Sequence, residues 1–134
     1  MIFVDTNVIM YAVGREHPLR KPAQKFFETA VESKAESKLV TSAEVLQELL
    51  HAYLPVQRMQ TLDSALQLVD ALIQDVWAVD PADVALAREL VDAHPSLGAR
   101  DLLHLACCKR RDVKRIKTYD RALAAALPRT SAAR

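Results

Sequence analysis

Four short apolar runs alternate with longer amphipathic segments along this 134-residue sequence. The runs are Met1–Val4, Leu39–Thr41, Val76–Val79 and Ile116–Tyr119. Short apolar runs between polar residues are typical of buried strands, and the intervening segments carry apolar residues at the three- and four-residue spacing of helices. Strands that alternate with helices favour a parallel sheet. The sequence therefore predicts an α/β fold, with a short central parallel sheet of four or five strands and helices on both of its faces.

The same spacing predicts the helices. They cover a segment after Asn7, Leu19–Ser33, Ala43–Leu54, Thr61–Ile73, Ala82–Ala93, a segment that begins near Asp101, and Ala122–Leu127. A short link joins the third helix to the fourth, so we expect these two to form an antiparallel hairpin. The hairpin carries more apolar residues than one small sheet needs, and such a surplus predicts an association surface. Its members are Leu54, Leu62, Leu66 and Ile73.

The composition limits the class of protein. Apolar residues make up 51% of the chain and only two residues are glycine, which favours helices over a loop-rich β architecture. The net charge of +1 gives no global attraction to nucleic acid or an anionic membrane, so any such contact must use a local patch. A chain of this length can bury one core, and we expect a single domain over residues 1–128 with a polar, disordered tail over residues 129–134.

The cysteines and the N-terminal residues predict a soluble, cytoplasmic protein. Cys107 and Cys108 are adjacent, so they cannot form an ordinary intrachain disulfide framework, and this fits a reducing compartment. The first residues lack the basic leader and long apolar core of a signal peptide. No apolar stretch approaches the ~20 residues that a membrane span needs.

Acidic residues stand where the predicted strands end. Asp5 follows the first strand and Asp120 the last, so they lie at the same sheet edge if those strands are neighbours. Asp101 lies in the first turn of a helix that begins at this edge. Each acid alone has an ordinary explanation, since Asp5 or Thr6 can cap a helix and Asp101 can stabilise a helix N-terminus.

The helix Ala43–Leu54 offers two further acids. At ~100° per residue, Glu48 lies at the edge of the apolar face, and Glu44 lies about 40° further toward solvent. Glu48 is therefore the better candidate. We interpret His51 and His104 as ordinary positions of amphipathic helices rather than as ligands.

A cluster of these acids needs a counter-charge. Two like charges ~4 Å apart repel by ~4 kcal/mol at an effective dielectric constant of 20, so the cluster would protonate, spread apart or bind a cation. Ligands that are all oxygen favour a hard ion, which predicts Mg²⁺ or Mn²⁺.

The order and spacing of these motifs are those of a known family. The motifs are Asp5-Thr6-Asn7, Glu48 within Val45–Leu50, Asp101 within Ala99–Ala106, and Thr118-Tyr119-Asp120. Over residues 1 to about 127 the chain resembles the PIN-domain endoribonucleases, specifically the VapC-like toxins of prokaryotic toxin–antitoxin pairs. The family's nearly invariant acids fall on Asp5, Glu48 and Asp101, and its more variable fourth acid on Asp120. One departure is that Ala122–Arg134 contains no further short strand, which related domains often have.

The resemblance implies an activity and partners. It implies a Mg²⁺- or Mn²⁺-dependent phosphodiesterase that acts on RNA, commonly as a homodimer, and is held inactive by a VapB-like antitoxin encoded beside it. Asp5, Glu48 and Asp101 would be metal ligands, and Asp120 would complete or polarise the site. Thr6, Asn7 and Thr118 would orient waters or those carboxylates.

Basic residues supply candidate RNA contacts, namely Arg15, Lys21, Arg100, Lys109 and Arg110. The basic run that begins at Lys109 has an alternative explanation, because cations are favoured at the C-terminus of a helix. No aromatic series for base stacking is evident in the sequence, so it predicts no base preference.

Three other functions compete. A phosphate-transferring receiver or haloacid-dehalogenase domain also has an acid after its first strand. The receiver needs an acid pair and a late lysine, however, and the dehalogenase needs a second Asp where this chain has Asn7. A PIN-like domain with a housekeeping role in RNA processing, or a non-catalytic module that only binds a partner, remains compatible with the sequence, although four retained acids argue against the module.

Overall fold

A computed structural model describes residues 1–33 and 38–127 of the chain. The strands are β1 (Ile2–Val4), β2 (Leu39–Ser42), β3 (Asp75–Trp77) and β4 (Ile116–Lys117). The helices are α1 (Thr6–Val13), α2 (Arg20–Ser33), α3 (Ala43–Tyr53), α4 (Met59–Leu72), α5 (Pro81–Glu89), α6 (Ala99–Arg110) and α7 (Arg121–Ala126). The predicted tail, residues 129–134, and the predicted domain boundary at residue 128 lie outside the described residues.

The strands form one parallel sheet in the order β3-β2-β1-β4. The predicted α/β class with four strands is therefore confirmed. β1 lies inside the sheet and is buried along its whole length, which explains why it is a continuous apolar run rather than an alternating one. β1 and β4 are neighbours, with Val4 opposite Lys117, as the expected meeting of Asp5 and Asp120 requires.

Pairing with neighbouring strands shifts two predicted boundaries. β3 begins at Asp75 and ends at Trp77, not at Val79, because Trp77 pairs with Ser42, the last residue of β2. β4 ends at Lys117 rather than at Tyr119, because Thr118 and Tyr119 form hydrogen bonds with Asn7 of α1 instead of pairing with β1. α5 ends at Glu89 rather than near Ala93.

The predicted association surface is wrong for two of its four residues. Leu62 and Ile73 are only 3% and 8% exposed and belong to the main hydrophobic core, and Leu66 is half-buried against it. Leu54 does face solvent. It lies in an apolar patch around the α3–α4 link that also contains Leu50, Val56 and Met59, all of them exposed.

A buried ion pair fastens α5 to the C-terminal end of α6. The side chain of Asp83 on α5 is fully buried and accepts hydrogen bonds of 2.8 Å from both Arg110 and Arg111. The Arg111 guanidinium also lies 4.9 Å from the ring centre of Trp77. Burial raises the pKa of Asp83, but hydrogen bonds from Arg111, Arg110 and the backbone of Asp80 outweigh it and hold that pKa well below its usual range.

The two cysteines are free and buried side by side on α6. Burial raises the pKa of Cys107 to about 11, so its thiol stays protonated and unreactive at neutral pH. Among the described residues, none of the helices has the length and apolar character needed to cross a membrane.

Candidate metal centre

The strand order places a cleft beside β1. Strands β2 and β3 lie on one side of β1 and β4 lies on the other, so the connections diverge at this point of the sheet. Ligands of open α/β sheets bind at such points, outside the carboxyl ends of the strands. A cleft of about 240 Å³ lies there and is lined by all four predicted acids, Asp5, Glu48, Asp101 and Asp120, together with Thr6, Asn7 and Arg100.

Asp5 forms the floor of the cleft. It is the N-cap of α1 and is only 5% exposed. Its Oδ1 accepts a hydrogen bond from the backbone N–H of Thr6, and its Oδ2 accepts one from the hydroxyl of Thr118, each 2.7 Å long. Burial raises its pKa above the ordinary value, although His104 and these hydrogen bonds oppose the effect. Asp5 is thus both a helix cap and a fixed carboxylate of the cleft.

A polar network ties the end of β4 to the start of α1. The Thr118 hydroxyl accepts hydrogen bonds from the Asn7 side chain at 3.3 Å and from the backbone of Asp120 at 3.0 Å. The backbone N–H of Tyr119 donates to the Asn7 carboxamide oxygen at 3.2 Å. The network holds the hydroxyl of Thr118 in the position from which it donates to Asp5.

Glu48 reaches the cleft from α3 and is held by two partners. Its Oε1 accepts a hydrogen bond from the Thr6 hydroxyl and lies 3.1 Å from Nε2 of His104. Burial raises the pKa of Glu48, but His104, Thr6 and the charge of Arg100 together lower it by more. The net pKa therefore lies below the ordinary value. Glu48 is therefore ionised at neutral pH.

Asp101 and Asp120 stand at the cleft from two other elements. Asp101 lies in the first turn of α6, and Asp120 caps α7 by accepting a 3.1 Å hydrogen bond from the backbone of Leu123. Burial and the negative charges of Asp5, Asp120 and Glu48 together raise the pKa of Asp101 to about 6. The four carboxylates therefore repel one another, as a cluster that binds a cation would.

The structure corrects the interpretation of His104 as an ordinary position of an amphipathic helix. Its side chain is fully buried, with Nε2 3.1 Å from Glu48 and 3.6 Å from Oδ1 of Asp5. Burial lowers its pKa, but the hydrogen bond to Glu48 and the charges of the acids raise it by more, leaving it above the ordinary value. The available signal was its position three residues after Asp101, which puts both on one face of α6. His51 is exposed and also borders the cleft.

The donor set fits a hard divalent cation. One possible ligand atom from each of Asp5, Glu48 and His104 lies within 4.8 Å of the others. Carboxylate oxygens are the preferred ligands of Mg²⁺ and Mn²⁺, and the imidazole, already paired with Glu48, is suited to orienting that carboxylate.

The candidate RNA contacts are spread over the surface. Arg100 lies at the cleft and affects the pKa of Glu48 by its charge. Arg15 is exposed beyond the end of α1, and Lys109 is exposed near the end of α6. Arg110 is occupied by Asp83 and Asp80, so this part of the basic run contributes to packing between helices.

Comparison with known proteins agrees with the fold. The PIN domain family model matches residues 2–126. The chain therefore belongs to the PIN-domain family. It is 65% identical over 126 residues to Ribonuclease VapC23 of Mycobacterium tuberculosis, a match that covers 94% of this chain and 98% of the relative. Within the family, the chain falls among the VapC ribonucleases, which confirms the resemblance inferred from its motifs.

Two further comparisons extend this result. Ribonuclease VapC13 of Mycobacterium tuberculosis is 36% identical over 121 residues, which are 90% of this chain and 91% of the relative. The crystal structure of Mycobacterium tuberculosis VapC20, a sarcin-ricin loop cleaving toxin, superposes with a TM-score of 0.72. That match covers 96% of this chain and 97% of the other at 16% identity, and it establishes the shared fold.

Without divalent metal, the protein is expected to lose stability as the pH rises from about 5 to about 8. Asp5, Asp101 and His104 have raised pKa values, so the folded state binds more protons than the unfolded chain. Their stabilising contribution is present at low pH and is lost as the pH rises through their folded pKa values, which for Asp101 is about 6. Glu48 acts oppositely, but only below its ordinary value of 4.5.

Thermal melts at the two pH values would measure this effect. We expect Asp101→Asn to reduce the loss of unfolding free energy between pH 5 and pH 8 by about 1 kcal/mol, after allowance for solvent screening. Millimolar Mg²⁺ or Mn²⁺ should raise the melting temperature most at the higher pH, because it binds the ionised native site. No rise with either metal at pH 8 would count against a metal centre.

Proposed function

We propose that this protein is an endoribonuclease that hydrolyses RNA phosphodiester bonds with Mg²⁺ or Mn²⁺, and that it acts as the toxin of a VapBC-type pair. The observation that carries the proposal is the convergence of four carboxylates, each from a different part of the chain, on one open cleft. Two arginines neutralise the single buried acid Asp83, whereas in the cleft His104 and Arg100 lie among four acids, and three of these acids raise the pKa of the fourth, Asp101.

Each acid has a distinct place in the proposed site. Asp5 and Glu48 would hold the cation, because both are fixed by two hydrogen-bonding partners and lie deepest in the cleft. Asp101 and Asp120 would complete the set of metal ligands from the N-terminal ends of α6 and α7. A bound divalent cation lowers the pKa of a water and offsets charge on the phosphate under attack.

Neighbouring side chains would keep the carboxylates in place. Thr118 holds Asp5 and is itself held by Asn7, while Thr6 and His104 hold Glu48. We assign His104 as a positioning residue that acts through Glu48. Arg100 faces the same cleft and is the best-placed contact for a phosphate.

We also propose two protein partners in the cytoplasm. The first is a VapB-like antitoxin, whose basic side chain could enter the acid cleft. The second is another copy of this chain, with the exposed patch of Leu50, Leu54, Val56 and Met59 supporting a homodimer. Sedimentation that gives only monomer at high concentration would contradict the dimer.

Production of the chain alone in a bacterial host is expected to arrest growth, and Asp101→Asn at the same level is not. The amide keeps the size of the side chain and its place in the first turn of α6, but it removes a carboxylate from the cleft. Growth curves, with the protein level checked by immunoblot, would measure the difference. Co-production of the neighbouring small protein should restore growth to cells that make the unaltered chain.

The two alternatives give different results in this experiment. A housekeeping RNA-processing nuclease with a narrow substrate would cut RNA in the tube and leave growth unaffected. A non-catalytic binding module would be equally harmful or equally harmless in both forms. Persistent arrest by Asp101→Asn would therefore exclude metal-dependent cleavage as its cause.

A further inference from the structure

Aromatic side chains from distant parts of the sequence form a continuous group beside the acid cleft. The ring of Tyr11 on α1 lies 4.5 Å from that of His17 between ring centres, in a tilted stack. The ring of Tyr119 meets Tyr11 edge-on at 5.7 Å. Tyr119 directly precedes Asp120, and its backbone donates to Asn7, so the aromatic group begins where the acid cleft ends.

Cations lie near both ends of this aromatic group. The ammonium group of Lys117 lies 5.1 Å from the centre of the Tyr119 ring, within reach of a cation–π contact. Beyond His17 is a second cleft, of about 600 Å³, whose lining includes His17, Arg20, Lys21 and Glu16. The carboxylate of Glu16 lies 3.8 Å from the guanidinium of Arg20, and its side chain is 94% exposed. Two cations and one acid therefore line the cleft, which leaves its lining net positive.

The two clefts are linked along one face of α1. Asn7 borders the acid cleft, and Tyr11 follows it one helical turn later, about 5.4 Å along the axis. The exposed ring of His17 continues the same surface. An RNA chain that crosses the acid cleft and follows α1 would therefore meet the ring of His17 and then the cations Arg20 and Lys21.

We propose that His17, stacked on Tyr11, is a base-stacking subsite for single-stranded RNA, and that Lys21 and Arg20 bind the adjoining phosphates. This inference rests on the proposed ribonuclease activity and extends it by assigning residues that hold the RNA outside the acid cleft. Aromatic rings accept any base by stacking, and basic side chains follow the backbone. Double-stranded RNA keeps its bases paired and stacked, so the subsite selects unpaired segments.

The double variant His17→Ala/Lys21→Ala tests the subsite without disturbing the core, because both side chains are exposed. The matched control is Arg88→Ala/His94→Ala, which removes one cation and one imidazole from α5 and the segment after it. The probe is a labelled single-stranded RNA of about twelve nucleotides. Fluorescence anisotropy in the Asp101→Asn background measures binding, and cleavage by the otherwise unaltered protein gives kcat and KM separately.

We expect the test variant to weaken binding and raise KM by about tenfold, with kcat within about twofold and the control unchanged. An abasic nucleotide at one position should weaken binding to the unaltered protein but not to His17→Ala. In that variant the ring on which the base would stack is absent, so removal of the base has no further effect. The effect should also disappear with an RNA too short to reach from the acid cleft to His17.

Two outcomes separate this inference from the activity on which it rests. Metal-dependent cleavage with equal KM in the test and control variants would overturn the subsite and leave the nuclease intact. RNA binding that His17→Ala/Lys21→Ala weakens, in a protein that never cleaves, would support the subsite and overturn the nuclease. Loss of antitoxin binding alone, with RNA binding unchanged, would assign the aromatic group to the protein partner and overturn the proposal.

Discussion

Asp5→Asn is expected to reduce RNA cleavage by more than about 100-fold while the fold is retained. Changes that only disturb the support of a metal ligand typically cost 10- to 100-fold, and this change removes the charge of a proposed ligand. Asn is as good a helix N-cap as Asp, so the carboxamide oxygen can still accept from the backbone of Thr6. Because the pKa of Asp5 is raised by burial, the loss of its charge should leave the thermal stability equal or slightly higher.

Glu44→Gln is the matched control for this experiment. Glu44 lies one helical turn before Glu48 on α3 and does not line the acid cleft. Cleavage by this variant should stay within about twofold of the unaltered protein, because the change removes no carboxylate from the cleft. Single-turnover cleavage with saturating Mn²⁺ would measure both variants, and equal loss in both would mean that the wrong face of α3 was assigned to the site.

Asp83→Ala is expected to destabilise the protein by ~3–5 kcal/mol, a typical result of removing one partner from a buried ion pair. The change leaves the guanidinium of Arg111, which is 21% exposed, without its carboxylate, and it removes the acceptor for the backbone N–H of Asp80. The midpoint of urea unfolding would measure the loss. Because α6 carries Asp101 and His104, cleavage at 37 °C should fall together with the folded fraction.

Arg110→Ala separates the buried partner from the exposed one. Arg110 is 36% exposed, and Asp83 keeps both of its contacts with Arg111 when it is removed. We therefore expect only a small loss of stability and no loss of cleavage. If Arg110→Ala lowered the stability as much as Asp83→Ala, the conclusion that Arg111 is the more important partner of Asp83 would be wrong. Reduced RNA affinity in a stable Arg110→Ala variant would instead restore Arg110 as an RNA contact.

The architecture could be predicted from sequence because local patterns determine most of it. Apolar runs identify the strands, and the three- and four-residue spacing identifies the helices. Strand ends are set by the neighbouring strand, which is not visible locally. Val79 continues an apolar run, yet β3 ends at Trp77 because β2 ends at Ser42. Whether an apolar side chain of a hairpin faces the core is equally non-local, as Leu62 and Ile73 demonstrate.

The acids could be located from sequence because topology brings the ends of parallel strands together. The partners that hold them could not. His104 has the spacing of an ordinary helix residue, and only the position of α3 reveals that it contacts Glu48. Tyr11, His17 and Tyr119 form no series in the sequence, since more than a hundred residues separate the first from the last. Side-chain contacts across elements decide both cases.

The position of β1 inside the sheet determines when the site can form during synthesis. Of the four described strands β1 is synthesised earliest, yet it needs β2 on one side and β4 on the other, and β4 is the latest of the four. Thr118, which holds Asp5, and Asp120 both follow β4. A growing chain that ends before residue 116 therefore lacks an edge of the cleft as well as one of its acids. Because a domain generally folds as a unit, the nascent protein should stay inert toward its own messenger RNA until this late segment is free.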